Sequence, residues 1–309
     1  MSMKIYNAFD NFRIPNCPVV TSGSFDGVHE GHKKIISRLK DIAKDNHGET
    51  VLITFWPHPR LVLEHDHKLK LLSTFDEKLK LLEASGIDHL IKVPFTKEFA
   101  SLSSAEFIQK ILIDKIGTQK LVIGYDHRFG KNREGSFEFL KQHAHLYPFD
   151  IEEISRHDID DVGLSSSKIR RLLDSGNVNK AKKYLGRPYE INGTVIHGNK
   201  IGRSIGFPTA NINIAEDYKL VPLNGVYSVE IIINRDDKVY KGMMNIGNRP
   251  TIDNHPSIEV NIFDFEQNIY NKHIQINFID RIRDEIKFNN IDELKNQLAK
   301  DKIVALSSF

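Results

Sequence analysis

Short apolar runs and amphipathic stretches take turns along the first half of the chain. Residues 18–23 (PVVTSG) predict a strand, and 33–45 predict a helix whose Ile35, Ile36, Leu39, Ile42 and Ala43 share one face. Residues 50–55 (TVLITF) predict a second strand, 76–84 a helix ended at Gly86, and 89–93 a third strand. Ser103 and Glu106 are spaced as a capping box, so a helix should start there and run to about Ile116. Residues 120–124 (KLVIG) add a strand. Strands rich in Val, Leu and Ile that alternate with helices predict a parallel sheet covered on both faces.

After about Leu185 the apolar runs shorten and glycines multiply. Residues 189–197, 226–233, 238–246 and 258–265 predict strands. Turns at Asn192-Gly193, Asn224-Gly225 and Arg235-Asp236-Asp237 would separate them. That pattern predicts an antiparallel β module closed into a small barrel, with a terminal helix over about 292–300. The change of pattern sets two domains, 1–183 and 184–309.

Composition narrows the class. With 309 residues, 40% hydrophobic and 27% charged, the chain can bury two ordinary cores. A net charge of +2 offers no basic field for nucleic acid. The opening MSMKIYNAFDNF lacks the pattern of a signal peptide, and no run reaches the roughly 20 apolar residues of a membrane span. One cysteine, Cys17, allows neither an internal disulfide nor a Cys-rich zinc site. A soluble cytoplasmic protein is expected, with its oligomeric state left open.

The segment GSFDGVHEGH (Gly23, Ser24, Phe25, Asp26, Gly27, Val28, His29, Glu30, Gly31, His32) joins a strand to a helix. In a parallel sheet that is the carboxyl end of a strand, where ligands bind. Unpaired N–H groups at the helix start suit phosphate, and Gly23, Gly27 and Gly31 let backbone approach it. His29 and His32 stand three apart, so both rings can face one spot and stabilise phosphate charge. A turn without ligand stays open, as does a metal site with His58 as third ligand. No GxxxxGK[ST] motif is present, which argues against a P-loop ATPase. Three further segments would close the site: TFWPHP with His58, GYDHRFG with Asp126 for a ribose hydroxyl or substrate, and LSSSKIR. In the last, Ser166 opens a helix that carries the basic Arg170.

A second candidate site is GNKIGRSIGFPTANI over 198–212. Gly202, Gly206 and Pro208 bend a loop made basic by Lys200 and Arg203. Thr209 and Asn211 alternate on one side, a set of hard oxygens suited to Mg²⁺ held jointly with nucleotide phosphates. A Gly-rich hairpin is the alternative. In IEVNIF, Ile258, Val260 and Ile262 face one way and Glu259 and Asn261 the other. Glu259 is then either a general base for an alcohol or a solvent-facing glutamate.

Taken together these motifs are recognisable. The chain resembles, over its whole length and in order, the bacterial bifunctional riboflavin kinase/FMN adenylyltransferase family, also called FAD synthetase. GSFDGVHEGH, TFWPHP, GYDHRFG and LSSSKIR are similar to its adenylyltransferase motifs. GRPYEINGTVIHG, IGRSIGFPTANI, GVYSVEI, NIGNRPT, IEVNIFDF and IRDEIKF are similar to its kinase motifs. The resemblance implies a Rossmann-like nucleotidyltransferase domain followed by a riboflavin kinase barrel. It implies phosphorylation of riboflavin by ATP to FMN and ADP, then adenylylation of FMN by a second ATP to FAD and pyrophosphate, with Mg²⁺ as cofactor. Glu259 matches the kinase base, and Thr209 and Asn211 its metal and phosphate ligands. His29, His32 and Arg170 match the groups that hold ATP phosphates. Gly23, Phe25, Asp26, Gly27, Gly31, Ser166, Gly202 and Arg203 fall in nucleotide-binding motifs, and His58, Asp126, Arg283 and Glu285 on the flavin side. His127, Ser167 and Asn261 stand where the family usually has Phe, Thr and His.

Overall fold

The computed structural model describes residues 2–63, 69–155, 164–198, 202, 205–234, 236–248 and 256–309. Lys200, Arg203, Arg235 and the Arg249–Thr251 end of NIGNRPT lie outside the described residues. The chain forms two compact units, one of Met1–Leu69 with Ser73–Ser166 and one of Lys70–Leu72 with Ser167–Phe309.

The first unit is a parallel sheet of β1 (Lys4–Asn7), β2 (Pro18–Gly23), β3 (Glu49–Trp56), β4 (His89–Pro94), β5 (Lys120–Gly124) and β6 (Asp150–Ile154). The strands lie in the order β1-β4-β3-β2-β5-β6. Its helices are α1 (Glu30–Asp45), α2 (Pro59–Leu63), α3 (Phe75–Ala84), α4 (Lys97–Ala100), α5 (Ser104–Phe107) and α6 (Phe137–Gln142). Alternate strand residues feed two cores, because successive side chains leave opposite faces of a sheet. Val19, Leu52, Leu90 and Val122 meet Ile36, Leu39 and Ile42 of α1 and Leu82 of α3. Val20, Val51, Ile53, Ile91 and Ile123 meet Phe107, Ile111, Leu112 and Leu140 on the other side. The capping box forms, Glu106 donating its N–H to Ser103 Oγ at 3.2 Å and accepting from Ser103 N at 3.0 Å. The helix then widens into a π turn over Ile108–Ile113, where a continuous α-helix was expected. From β2 the sheet order runs one way through β3 and β4 and the other way through β5 and β6. The carboxyl ends of β2 and β5 therefore flank a topological switch point, the place where open α/β sheets bind ligands.

Beyond Lys70–Leu72, the second unit holds α7 (Ser166–Asp174, all but its first residue) and α8 (Val178–Leu185). Asn179 of α8 donates to Asp280 of the barrel at 2.7 Å, so these helices group with the barrel upstream of residue 183. The barrel strands are β7 (Tyr189–Ile196), β8 (Ala210–Asn213), β9 (Gly225–Ile233), β10 (Val239–Asn248), β11 (Pro256–Ile262) and β12 (His273–Arg283). They close in the order β10-β11-β8-β7-β12-β9, all antiparallel. Closure removes the exposed edges that an open sheet would present. Ile191, Val229, Ile231, Met244, Val260, Ile274, Ile276 and Phe278 are buried at period two along their strands. The terminal helix α9 (Ile291–Ser307), capped by Asn290, buries Ala305 against Met243 and Phe263.

Asn192-Gly193 is not a turn, contrary to the sequence expectation. Both residues lie inside β7, and a Cβ on Gly193 would collide with Ile212 and the backbone of Asn213. That glycine permits close approach of β8 to β7.

Candidate active sites

The first site grows out of the end of β2. Phe25 (φ 48°) and Gly27 (φ 79°) adopt left-handed backbone, which reverses the chain between Gly23 and the start of α1 at Glu30. A Cβ on Gly23 would press within 3.0 Å of the Phe25 ring, and that ring packs 4.9 Å from His32. His29 is the N-cap of α1, and its Nδ1 accepts the backbone N–H of His32 at 3.4 Å. The two imidazoles stack with centroids 3.7 Å apart, beside Gly31, which is buried. Burial, then His29, then Lys78 hold the His32 ring well below the usual histidine range, so it is neutral at pH 7. Its Nδ1 is shielded and without a hydrogen-bond partner. An orphaned lone pair costs less than an orphaned N–H, which favours the tautomer that carries its proton on Nε2 as a donor.

Asp26 is spent on the shape of this turn. Its carboxylate accepts from Ser73 N at 3.2 Å and Ser73 Oγ at 3.4 Å, while Gly27 N–H donates to the same hydroxyl at 3.1 Å. Ser166 Oγ donates to the Asp26 carbonyl at 3.0 Å. Across the switch point, Ser22 Oγ and His127 Nε2 lie 3.2 Å apart, joining the ends of β2 and β5. The hydrogen bond gives His127 a role that a Phe there could not play. Asp126 beside it is exposed. His58 follows β3 and is buried, its Nδ1 accepting from Arg60 N at 3.2 Å. Among the described residues, no three His, Cys, Asp or Glu side chains gather to hold a metal ion, which leaves the His29, His32 and His58 alternative without a centre. Arg170 is buried on α7, in the second unit.

One residue of this site is absent from the sequence expectations. Lys78 of α3 is buried and reaches the ends of both β2 and β3. Its signal was a lysine on the stripe of Phe75 and Leu82, at spacings of three and four, where a helix buries its apolar face.

The second site lies on the outer face of the barrel. Antiparallel register sets Glu259 of β11 opposite Asn211 of β8 on one side and Asn245 of β10 on the other. Thr209 Oγ1 donates to Glu259 Oε2 at 3.3 Å, and Ser257 Oγ to Oε1 at 3.4 Å. Glu259 is half-buried. A Cβ on Gly198 would overlap the Asn211 amide, and one on Gly202 would overlap the Phe207 carbonyl beside Thr209. Asn261 Nδ2 donates to the Pro208 carbonyl at 2.7 Å and so anchors the turn that carries Thr209. A cavity of about 400 Å³ adjoins Thr209, lined by Val195, Pro208, Ile262, Phe265 and Tyr270 among others.

Glu285 stands against Gly247, where a Cβ would strike its carboxylate, and accepts from Asn224 Nδ2 at 3.3 Å. Arg283 points elsewhere. Its guanidinium makes a two-pronged ion pair with Asp301 of α9, at 2.9 Å from Nε and 2.7 Å from Nη2. Asp301 is 1% exposed, so this pair ties β12 to the terminal helix.

Comparison with known proteins agrees with a two-part chain. The family model described as FAD synthetase matches residues 13–168, and the one described as riboflavin kinase matches residues 185–309. The bifunctional riboflavin kinase/FMN adenylyltransferase of Bacillus subtilis is 40% identical over 302 residues, covering 94% of this chain and 92% of that one. The protein of the same name from Buchnera aphidicola subsp. Schizaphis graminum is 39% identical, covering 97% of this chain and 96% of its own. A crystal structure of the macrolide-efflux protein from Streptococcus pneumoniae superposes with a TM-score of 0.89 at 33% identity, over 99% of each chain. Among the described residues of this chain, no helix is long and apolar enough to cross a membrane.

Proposed function

The chain belongs to the bifunctional riboflavin kinase/FMN adenylyltransferase family, and from that premise we propose how its two sites divide the chemistry. The protein phosphorylates riboflavin with ATP to give FMN and ADP, then adenylylates FMN with a second ATP to give FAD and pyrophosphate. We assign residues 184–309 the first step and residues 1–183 the second.

In the kinase step Glu259 takes the proton of the ribityl 5′-hydroxyl, whose oxygen attacks the γ-phosphorus as ADP leaves. The observation that carries this reading is that Glu259 faces Asn211 across adjoining strands and accepts from Thr209, with Gly198 and Gly202 where a Cβ would overlap Asn211 and Phe207. The Thr209 hydroxyl and Asn211 amide oxygen are hard donors that fit Mg²⁺, which when bound would neutralise phosphate charge. The adjoining 400 Å³ cavity is of a size to take the base of ATP. Gly202 and Arg203 serve the phosphates. Glu285 faces the flavin side, and Arg283 fixes that segment through Asp301.

In the adenylyl step an FMN phosphate oxygen attacks the α-phosphorus of ATP, and pyrophosphate leaves. The acceptor is already anionic, so no protein nucleophile or base is needed; placement and charge stabilisation suffice. The α1 amides, His29 and His32 meet the phosphates, with Gly23, Phe25, Asp26, Gly27, Gly31 and Ser166 shaping the turn. His58 and Asp126 face the flavin, and Arg170 keeps only the β/γ-phosphate role that the family resemblance implies. The reducing cytoplasm suits the lone thiol Cys17.

Purified protein with riboflavin, ATP and Mg²⁺ should yield FMN and then FAD on chromatographic separation. No FMN and no FAD would sink the reading. Adenylylation of a different phosphate, such as phosphopantetheine or nicotinate mononucleotide, with no flavin product would replace it.

A further inference from the structure

α3 carries a charge where its pattern calls for a hydrocarbon. Phe75, Lys78 and Leu82 share one face, and Lys78 is 4% exposed. Burying an ammonium is costly, and an apolar residue of similar volume generally serves stability as well or better. The position of the charge is therefore informative. Lys78 Nζ donates to the Ser24 carbonyl and to Thr54 Oγ1, both at 3.1 Å. Ser24 lies in the phosphate turn after β2, and Thr54 near the end of β3. The ammonium sits 5.0 Å over the Phe75 ring and 5.8 Å over Trp56.

Resting on the adenylyl-transfer reading of this site, we propose that Lys78 is its positioning residue. The buried ammonium pins the phosphate turn to β3 and gives the site a fixed positive charge. Two consequences follow from the geometry. A backbone carbonyl aimed at a triphosphate would repel it, and the ammonium holds the Ser24 carbonyl on itself instead. A charge in a dry setting is screened less than one in water, so it favours bound phosphate across the turn.

The charged and titratable groups facing Lys78 are Asp26 of the turn, His32 of α1 and Lys92 of β4. Glu77, on α3 itself, is committed to the Thr74 amide at 2.9 Å. Burial lowers Lys78, Asp26 opposes and Lys92 adds to the lowering, which leaves the ammonium titrating at about 8. It is charged below that pH and neutral above it.

The test measures kcat/KM for ATP in FAD formation from supplied FMN, for wild type, Lys78→Met and Lys78→Arg, from about pH 7 to about pH 9.5. Wild type should fall about tenfold as pH rises through 8, and Lys78→Met should be about tenfold low near neutrality and flat, as expected for loss of one buried charge. The two should converge at the alkaline end, whereas Lys78→Arg should hold its activity past the point where wild type declines. Riboflavin phosphorylation by the same samples should not change. A wild-type profile flat through pH 8, Lys78→Met equal to wild type, or a deficit constant with pH would each overturn the proposal. The wild-type profile needs no variant, so it decides even if Lys78→Met fails to fold. Wild type making no FAD at all would instead remove the reading on which the proposal rests.

Discussion

The two proposed sites are both assigned the phosphates of ATP, yet they are built from different material. The site after β2 is made of backbone N–H groups, a pair of stacked imidazoles and a buried lysine, with the carboxylate of the turn, Asp26, accepting from Ser73. The barrel site is made of side chains on adjoining strands, centred on a carboxylate that Thr209 and Ser257 touch. The difference follows the acceptors. A phosphate monoester arrives charged and asks only for its partner's charge to be stabilised, whereas an alcohol must lose a proton on the way to attack.

Exchanging a base for its neutral isostere should break one half only. Glu259→Gln is expected to slow FMN formation by about 10²–10⁴-fold, the usual worth of a positioned base, and to leave FAD formation from supplied FMN unchanged. Removing His29 and His32 together, each to Ala, should do the reverse and cut adenylyl transfer by about 10²–10³-fold, the scale of lost charge-stabilising donors. If either variant lost both activities while folded, the comparison would collapse. Thr209→Val should weaken Mg²⁺ activation of the kinase step by about 10–100-fold and leave the metal response of adenylyl transfer alone, as read from metal titrations of each half-reaction.

A smaller effect concerns the first unit's stability. Burial, then Arg128 and Arg133, lower His127 to about 4 from 6.5, so the folded unit keeps it neutral. Between those values the unfolded chain binds the proton first, and stability is lost as pH falls from 6.5 toward 4. His127→Phe should remove about 2–3 kcal/mol of that acid dependence, seen as a smaller change in urea midpoint between neutral and acid pH. Some acid slope should survive through His32, which is also lowered.

The sequence was most readable where function rests on local chain geometry. The turn after β2 declared itself because glycines, a helix start and paired histidines lie within ten residues. The barrel face was readable from strict alternation around Glu259, though only register showed that Asn211 lies opposite it. What escaped had physical reasons. β12 is the longest barrel strand among the described residues, and its His273–Arg283 run alternates Ile274, Ile276 and Phe278, but polar neighbours broke the apolar density that marks a strand. Edge strands β1 and β6 are short and mixed, as edges tend to be. Asn192-Gly193 carried a turn signal for a glycine that tertiary crowding requires inside a strand. Lys78 was hidden because a single lysine on an apolar stripe looks like a surface residue until its partners are seen. Arg283 gave a basic group in a flavin-side motif, and only the fold revealed Asp301 as its partner, 18 positions away.

The division of labour is tested most directly by complementation. Glu259→Gln and the His29→Ala, His32→Ala double variant are each incubated with riboflavin, ATP and Mg²⁺, alone and mixed. Each alone should fail to make FAD, the first stopping at riboflavin and the second at FMN. The mixture should make FAD, because FMN released by one protein is adenylylated by the other. A mixture that makes FMN but no FAD, with both proteins folded and wild type active, would contradict two independent sites.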